Sequence, residues 1–368
     1  IHNIYLTCIW HVCSVQNSTQ FVPKGIISPM ELSLINDVEA WIQLEEAWDE
    51  LVKKSVRPYP FLEFWYQFNW WQTLGGGEWH RSENQLCIIV GYEGGILKGI
   101  APLFISSKED NPAALRFIGQ VDITDYLDFI AAEEDLPVFL PAVLDFIDQH
   151  EPIPVKNLFL ENFQSGSPSL PILESASIER KRTYSQQVLQ PAPGITLPAS
   201  WEDYLQSLDK KQRHEIRRKL RNVERDYQTE LYIVEDSAKV ADEMRNFIGL
   251  MRNEEEKKKF LTKDTEAYLI SLGQAALEKG RLCLAYLLLD GEIAAGYLNF
   301  IAQNRLWVYN TGWNPEFNKY SPGWVLLSKL IQRSIQQGLE EVDLMRGAEE
   351  YKYRFGGVDR QVVMVQSS

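Results

Sequence analysis

Two stretches decide the fold: Leu86-Cys87-Ile88-Ile89-Val90 leading into Gly94-Gly95-Ile96-Leu97-Lys98-Gly99-Ile100-Ala101-Pro102-Leu103-Phe104, and Leu282-Cys283-Leu284-Ala285-Tyr286 leading into Asp290-Gly291-Glu292-Ile293-Ala294-Ala295-Gly296-Tyr297-Leu298-Asn299-Phe300. They are two copies of one pattern, and Gly94, Ile96 and Gly99 recur at one constant spacing as Gly291, Ile293 and Gly296. Each copy predicts a β-hairpin, an apolar strand returning through a Gly-containing turn into a second apolar strand. A glycine inside the second strand predicts a bulge or a close backbone approach.

The flanks repeat as well. Val38, Trp41, Leu44, Ala47, Trp48 and Leu51 keep helical spacing ahead of the first hairpin, as Val240, Met244, Phe247, Ile248 and Met251 do ahead of the second. A Phe-Leu pair and a second helix follow each, at Phe61-Leu62 and Phe260-Leu261. Beyond the hairpins come strands near Leu115–Ile118 and Leu306–Asn310, Pro-initiated helices near Pro141–Ile147 and Pro322–Ile335, and last strands near Leu158–Leu160 and Val342–Leu344. The chain therefore predicts a mixed α/β fold of two similar units, residues 30–165 and 200–368, each a mostly antiparallel sheet flanked by helices. Residues 166–199, rich in Ser, Gly and Pro, read as a linker in which Val188-Leu189 and Ile195-Thr196-Leu197 add strands. Residues 1–29 begin with Ile and carry neither a basic start nor a cleavage signal; they are expected to be a disordered or non-native extension ahead of Met30.

Composition narrows the function. A chain of 368 residues with a formal net charge of -14 is a poor candidate for non-specific binding to DNA or to an anionic membrane. No apolar run is long enough to span a bilayer. Cys87 and Cys283 sit in apolar strands and read as buried thiols, and no Cys/His cluster points to a metal. A reducing, cytoplasmic setting is expected.

Three segments carry chemistry. Trp201–Tyr227 predicts one long helix with Ser200 as N-cap, on which Arg213, Arg217, Arg221 and Arg225 stack at every fourth residue. That face is either solvated and ion-paired or a docking strip for phosphate or another polyanion. At Tyr320-Ser321-Pro322-Gly323-Trp324, Ser321 suits an N-cap and Pro322 the first helical position, and free amides at a helix start favour anions. At Asp343-Leu344-Met345-Arg346-Gly347, followed by Glu349-Glu350-Tyr351-Lys352-Tyr353-Arg354-Phe355-Gly356, a strand end throws Arg346 and Gly347 into a loop, where α/β sheets bind ligands. The first unit has no counterpart of the last two segments.

At these residues, together with Leu208–Leu220 and Ala101-Pro102-Leu103, the sequence resembles the GNAT-type acetyltransferase family that includes the CelD cellulose-biosynthesis proteins. More distantly it resembles the Fem-type peptidoglycan aminoacyltransferases, which are paired GNAT-like domains. The likeness spans nearly all of residues 36–357. It implies tandem GNAT-like domains and acyl transfer from acetyl-CoA or another acyl-CoA to an amine or hydroxyl of a small molecule, sugar or envelope-polysaccharide precursor. The Fem-type relatives use aminoacyl-tRNA instead. The usual Gln/Arg-x-x-Gly-x-Gly/Ala pyrophosphate loop is absent, and Ser321, Gly323 and Trp324, with Asn310, are expected to take its place. Direct attack on a thioester requires orientation, proton transfer and a polarised carbonyl. Backbone amides near Leu306–Asn310 are expected to polarise the carbonyl, and Tyr320 or Tyr351 to protonate the thiolate. Asp343 is expected to serve as base or else to hold Arg346. Arg346, Gly347, Lys352, Arg354, Arg213 and Arg217 would bind the anionic donor or acceptor. The alternative is a non-catalytic GNAT-like module that holds an anionic glycan, a nucleotide sugar or tRNA.

Overall fold

The computed structural model describes residues 30–75, 84–108, 111–119 and 123–368; the segment 1–29, with Cys8 and Cys13, lies outside the described residues. In the first half β1 (Glu31–Ile35) leads to α1 (Val38–Ile42), α2 (Glu45–Lys54), a turn of 3-10 helix (Pro60–Leu62) and α3 (Phe64–Leu74). Then come β2 (Gln85–Leu86), β3 (Ile88–Glu93), β4 (Ile96–Ala101), β5 (Leu103–Lys108), β6 (Asn111–Phe117), β7 (Ile130–Ala131), α4 (Leu136–Gln149), β8 (Leu158–Gln164), α5 (Ser169–Glu179) and β9 (Tyr184–Pro191). The second half begins with β10 (Gly194–Thr196), α6 (Trp201–Ser207), α7 (Lys210–Asp226), β11 (Thr229–Ile233), α8 (Val240–Met251), α9 (Glu255–Phe260) and α10 (Lys263–Glu278). It continues through β12 (Leu282–Leu289), β13 (Glu292–Ala302), β14 (Arg305–Trp313), α11 (Pro322–Gln336), β15 (Glu341–Asp343), α12 (Glu350–Arg354) and β16 (Gln361–Ser367).

Both repeated motifs are antiparallel hairpins, β3–β4 and β12–β13. Their turns place Gly94 and Gly95 at φ 56° and 79°, and Asp290 and Gly291 at φ 50° and 87°. Two left-handed residues in a two-residue turn match the twist of the flanking strands. The strand glycines mark close approaches: a Cβ on Gly99 would lie 2.4 Å from the Phe139 ring, and one on Gly296 would lie 2.8 Å from Tyr286.

The halves differ at Pro102. In the second half β13 runs unbroken for 11 residues inside a six-stranded sheet ordered β10-β15-β14-β13-β12-β11. In the first half the equivalent run was read as one strand, but Pro102, which has no N–H for the ladder, divides it. β4 stays in a four-stranded sheet, β1-β3-β4-β7, while β5 joins a six-stranded one, β2-β5-β6-β8-β16-β9. The parallel pair recurs in both halves, as β6 with β8 and as β14 with β15.

The edge positions are exchanged. β10, from the stretch read as a linker, borders β15 in the second sheet. β16, the last strand of the chain, inserts between β8 and β9 in the first. Assigning all of 200–368 to the second unit is thereby corrected, because the apolar β16 residues Val362, Val363 and Val365 are buried against the first half. A second correction concerns the basic helix. It is two helices, since Leu208 is extended and Asp209 caps α7 by accepting from the Gln212 N–H at 3.0 Å.

The seam between the halves has an apolar, aromatic centre flanked by polar contacts. The matched helices α3 and α10 pack on each other. Trp307 of β14 meets Tyr59, Phe61 and Tyr126 edge-on, and Phe300 of β13 meets Phe61, Trp65 and Tyr66. Cys87 and Cys283 are buried, and burial pushes their thiols up to about 12 and about 11. Among the described residues no helix is long and apolar enough to cross a membrane.

Gly99→Ala should destabilise the fold by about 1–3 kcal/mol, because the new methyl overlaps a core ring. In a Phe139→Ala background the same change should cost less, and a denaturant double-mutant cycle measures the difference.

Candidate functional site

β14 and β15 pair only from Arg305–Trp307 to Glu341–Asp343 and then diverge. On the other side of β14, Leu298 faces Asn310 and Asn299 faces Val308, so Tyr309 is an extra residue that bends the strand. Two adjoining cavities open at this divergence. One, of about 370 Å³, is lined by Tyr297, Trp313, Asn318, Ser321, Gly323 and Trp324 among others. The second, of about 220 Å³, is lined by Asp125, Lys257, Tyr309, Asn310, Arg346 and Lys352 among others. Thr311 and Tyr351 line both.

The first cavity lies at the start of α11. Ser321 adopts φ 53° and its hydroxyl caps no helix amide; instead it accepts from Lys219 Nζ at 2.7 Å. The Trp324 and Val325 amides donate to the Ser321 carbonyl. Those two amides are thus bonded within the helix start, and a side-chain ammonium stands at the mouth. Lys219 also stands 4.3 Å above the Trp324 ring, and burial lowers its pKa. Gly323 leaves the mouth open: an added Cβ would meet only the Tyr297 hydroxyl, at 3.9 Å. An apolar wall with one ammonium at a helix start suits a ligand with an anionic end and an apolar body.

The loop after β15 is fixed from below. Asp343 is fully buried and accepts from the Tyr126 hydroxyl at 2.9 Å, the Met345 N–H at 2.8 Å and Arg360 Nη2 at 2.9 Å. Burial pushes its carboxyl up to about 6. Met345 and Gly347 follow at φ 62° and 115°. Lys352, 2% exposed, holds this turn by donating to the carbonyls of Met345, Arg346 and Gly347 at 3.2, 2.6 and 3.4 Å, while Glu349 pairs with it at 2.9 Å. Arg346 crosses to the first half, where Asp125 binds its Nε at 2.7 Å and Asn162 its Nη1 at 2.9 Å.

Of the expected site residues, Ser321, Gly323 and Trp324 meet in the first cavity, Asn310, Arg346 and Lys352 in the second, and Tyr351 at their junction. The other placements are corrected. Asp343 lines neither cavity, and its partner is Arg360 rather than Arg346. Tyr320 is turned away, with its hydroxyl 3.1 Å from Asp226. Arg217 is paired with Glu202 at 2.6 Å, Arg354 with Glu350, and Arg213 reaches only the Gln206 carbonyl at 3.5 Å. Gly347 serves the turn, and Lys352 spends its donors on the loop. Asn310 accepts from its neighbour's amide, Thr311 N–H, at 2.8 Å.

Sequence reasoning missed Tyr297, Thr311, Trp313, Lys219 and Lys257. For Lys219 a signal exists. It lies three residues after Ile216 and four before Val223, the two buried positions of α7, so it points inward while the stacked arginines point out. For Lys257, in a run of charged residues, there is none.

Residues 210–353 match the family model described as an acetyltransferase (GNAT) domain. No curated protein matches the sequence. Among solved structures the chain is similar to FemX, at 13% identity and a TM-score of 0.64 over 91% of this chain and 96% of that one. It is similar to a conserved protein of unknown function from Bacteroides thetaiotaomicron, at 12% identity and a TM-score of 0.61 over 92% and 99%. It is also similar to the C-terminal domain of a putative lysylphosphatidylglycerol synthetase from Agrobacterium fabrum, at 13% identity and a TM-score of 0.52 over 88% and 92%. Likenesses at this identity establish the two-unit fold and leave substrates open.

Asp343 and Asp128 are both fully buried and both pushed up to about 6, burial being the main cause in each. A carboxyl whose folded value lies above its unfolded one binds more protons when folded, so its contribution to stability falls as pH rises from about 4 to about 6. Urea denaturation at pH 4.5 and 6.5 should show that slope, and combining Asp343→Asn with Asp128→Asn should flatten it.

Proposed function

We propose that the chain is an acyltransferase that binds acyl-CoA in the cavity at the start of α11 and delivers the acyl group to an amine or hydroxyl held in the adjoining cavity. The observation that carries this reading is the pair of cavities meeting at Thr311 and Tyr351, inside the residues that match the GNAT domain model. A transfer by direct attack needs two substrates brought together from different directions at one point, and the divergence of β14 from β15 supplies that point. The phosphates of the donor lie at Lys219 and the helix start. The thioester reaches inward past Trp313 and Trp324 to Thr311.

Tyr351 is the group placed at both ends of the step. Burial raises its pKa, so the phenol stays protonated and is able to give its proton to the leaving sulfur. The acceptor's attack on the carbonyl carbon breaks the C–S bond, and the proton the acceptor sheds restores the phenol. The acceptor belongs to a small molecule, a sugar or an envelope-polysaccharide precursor.

One observation favours a second reading. Helix α7 carries eight Lys and Arg (210, 211, 213, 217, 218, 219, 221, 225) against three acidic residues (215, 224, 226). Such a ridge beside the donor cavity suits a polyanion longer than a pyrophosphate, either an aminoacyl-tRNA donor or an anionic glycan bound without chemistry.

Calorimetry with CoA, paired with thiol release from acetyl-CoA in the presence of an amine panel, separates the readings. CoA at about 100 times its Kd should raise stability by about 2.7 kcal/mol. Lys219→Met should weaken CoA binding about tenfold through loss of one charge-assisted contact. Stabilisation by tRNA or acidic glycan with none by CoA would overturn the acyl-CoA reading in favour of the second.

A further inference from the structure

We infer that Lys257 is the cation of the transfer step, hydrogen-bonding the carbonyl oxygen of the transferring group as negative charge develops on it; this rests on the acyltransferase reading above. The reacting carbonyl must lie where the two cavities meet, at Thr311 and Tyr351. Lys257, on the short helix α9, reaches that point. Its Nζ donates to the Thr311 carbonyl at 2.6 Å and to the Thr311 hydroxyl at 3.0 Å, and Glu254 pairs with it at 2.6 Å.

Three features single it out. Thr311 turns both main-chain polar groups away from β13, the N–H to the Asn310 side chain and the C=O to Lys257. Lys257 therefore sits on the open edge of β14, where an extended donor must pass. Next, its partners at the junction are a carbonyl and a hydroxyl oxygen. An ammonium with three donors exchanges one such oxygen for another without losing its charge partner, Glu254. Finally, the other cations of the second cavity are committed: Arg346 to Asp125 and Asn162, and Lys352 to three carbonyls and Glu349. Among the described residues lining that cavity, Lys257 is the cation whose hydrogen-bond partners besides Glu254 are both atoms of Thr311, at the junction.

In the step, the acceptor's lone pair attacks the thioester carbon and the oxygen takes up charge against Lys257. Collapse expels the sulfur with the bonding electrons, and the acceptor's proton reaches the sulfur through Tyr351. Lys257 exchanges no proton over the cycle; it donates a charge-assisted hydrogen bond that is strongest in the intermediate.

The test compares Lys257→Met and Lys257→Arg with the unaltered full chain by calorimetry with CoA, thiol release from acetyl-CoA with the amine panel, and thermal melting. Lys257→Met should lower kcat for thiol release about 100-fold, with CoA affinity changed less than threefold and melting preserved, and Lys257→Arg should recover part of the rate. Wild-type turnover in a folded Lys257→Met would overturn the inference and leave the acyltransferase reading standing, as would an equal loss of CoA affinity and rate. Absence of both CoA binding and thiol release in the unaltered chain would overturn that reading, and the inference with it.

Discussion

A single buried carboxylate, Asp343, fixes where the second sheet opens. It is the last residue of β15, and three donors from three places converge on it: Tyr126 from the first half, Arg360 from the approach to β16, and its own loop at Met345. An isolated carboxylate in an apolar core is costly, so the carboxylate persists only where such donors satisfy it. Satisfying it pulls Met345 into a left-handed turn and lifts the following chain away from β14. Lys352 completes the turn by bonding three of its carbonyls. The gap between β14 and β15 is therefore a consequence of polar accounting at one residue, and Tyr126 makes that accounting depend on both halves.

The same logic explains why the repeat is unequal. In the first half the chain beyond β6 folds back along β8: Leu127 N–H donates to the Asn162 carbonyl at 2.8 Å, and the Asn162 side chain donates to the Thr124 carbonyl at 2.7 Å. The position that stays open beside β15 is thus occupied beside β8 by the protein itself. What fills it is also what serves the second half, since Asp125 binds Arg346 and Tyr126 binds Asp343. One copy of the unit thus supplies part of the wall of the other's cavity.

This division was partly legible in the sequence. The hairpin glycines carry their own physical signature, a left-handed turn or a ring pressed against the backbone, and so they announced both units. Pro102 carries an equally plain signature, a missing donor, yet a break in the strand follows from it only when the neighbouring strands are known. Asp343, Arg346 and Lys352 stand out as polar residues at a strand end, but a sequence does not say whether a charge faces a ligand or its own loop. Asp343 and Lys352 are engaged in shaping the turn, and Arg346 ties it to the first half. The exchange of β10 and β16 was hidden for a related reason: a strand at Ile195-Thr196-Leu197 is expected from its residues, but its place beside β15, like that of β16 between β8 and β9, is set by non-local pairing.

The arginine stripe and Lys219 place positive charge in two different settings. The protein carries a formal net charge of -14, so its overall field opposes an anionic ligand. The outward arginines of α7 face water, where salt screens them beyond about 10 Å and acidic neighbours such as Glu202 and Asp226 engage two of them. Lys219 stands on the inward face, half-buried against Trp324, with Ser321 as its partner. A charge so placed interacts at short range and in lower dielectric, and its partner Ser321 lines the mouth of the cavity. On the acyl-CoA reading proposed above, the stripe offsets the unfavourable global field for an anionic donor, and the inward lysine gives that donor one position.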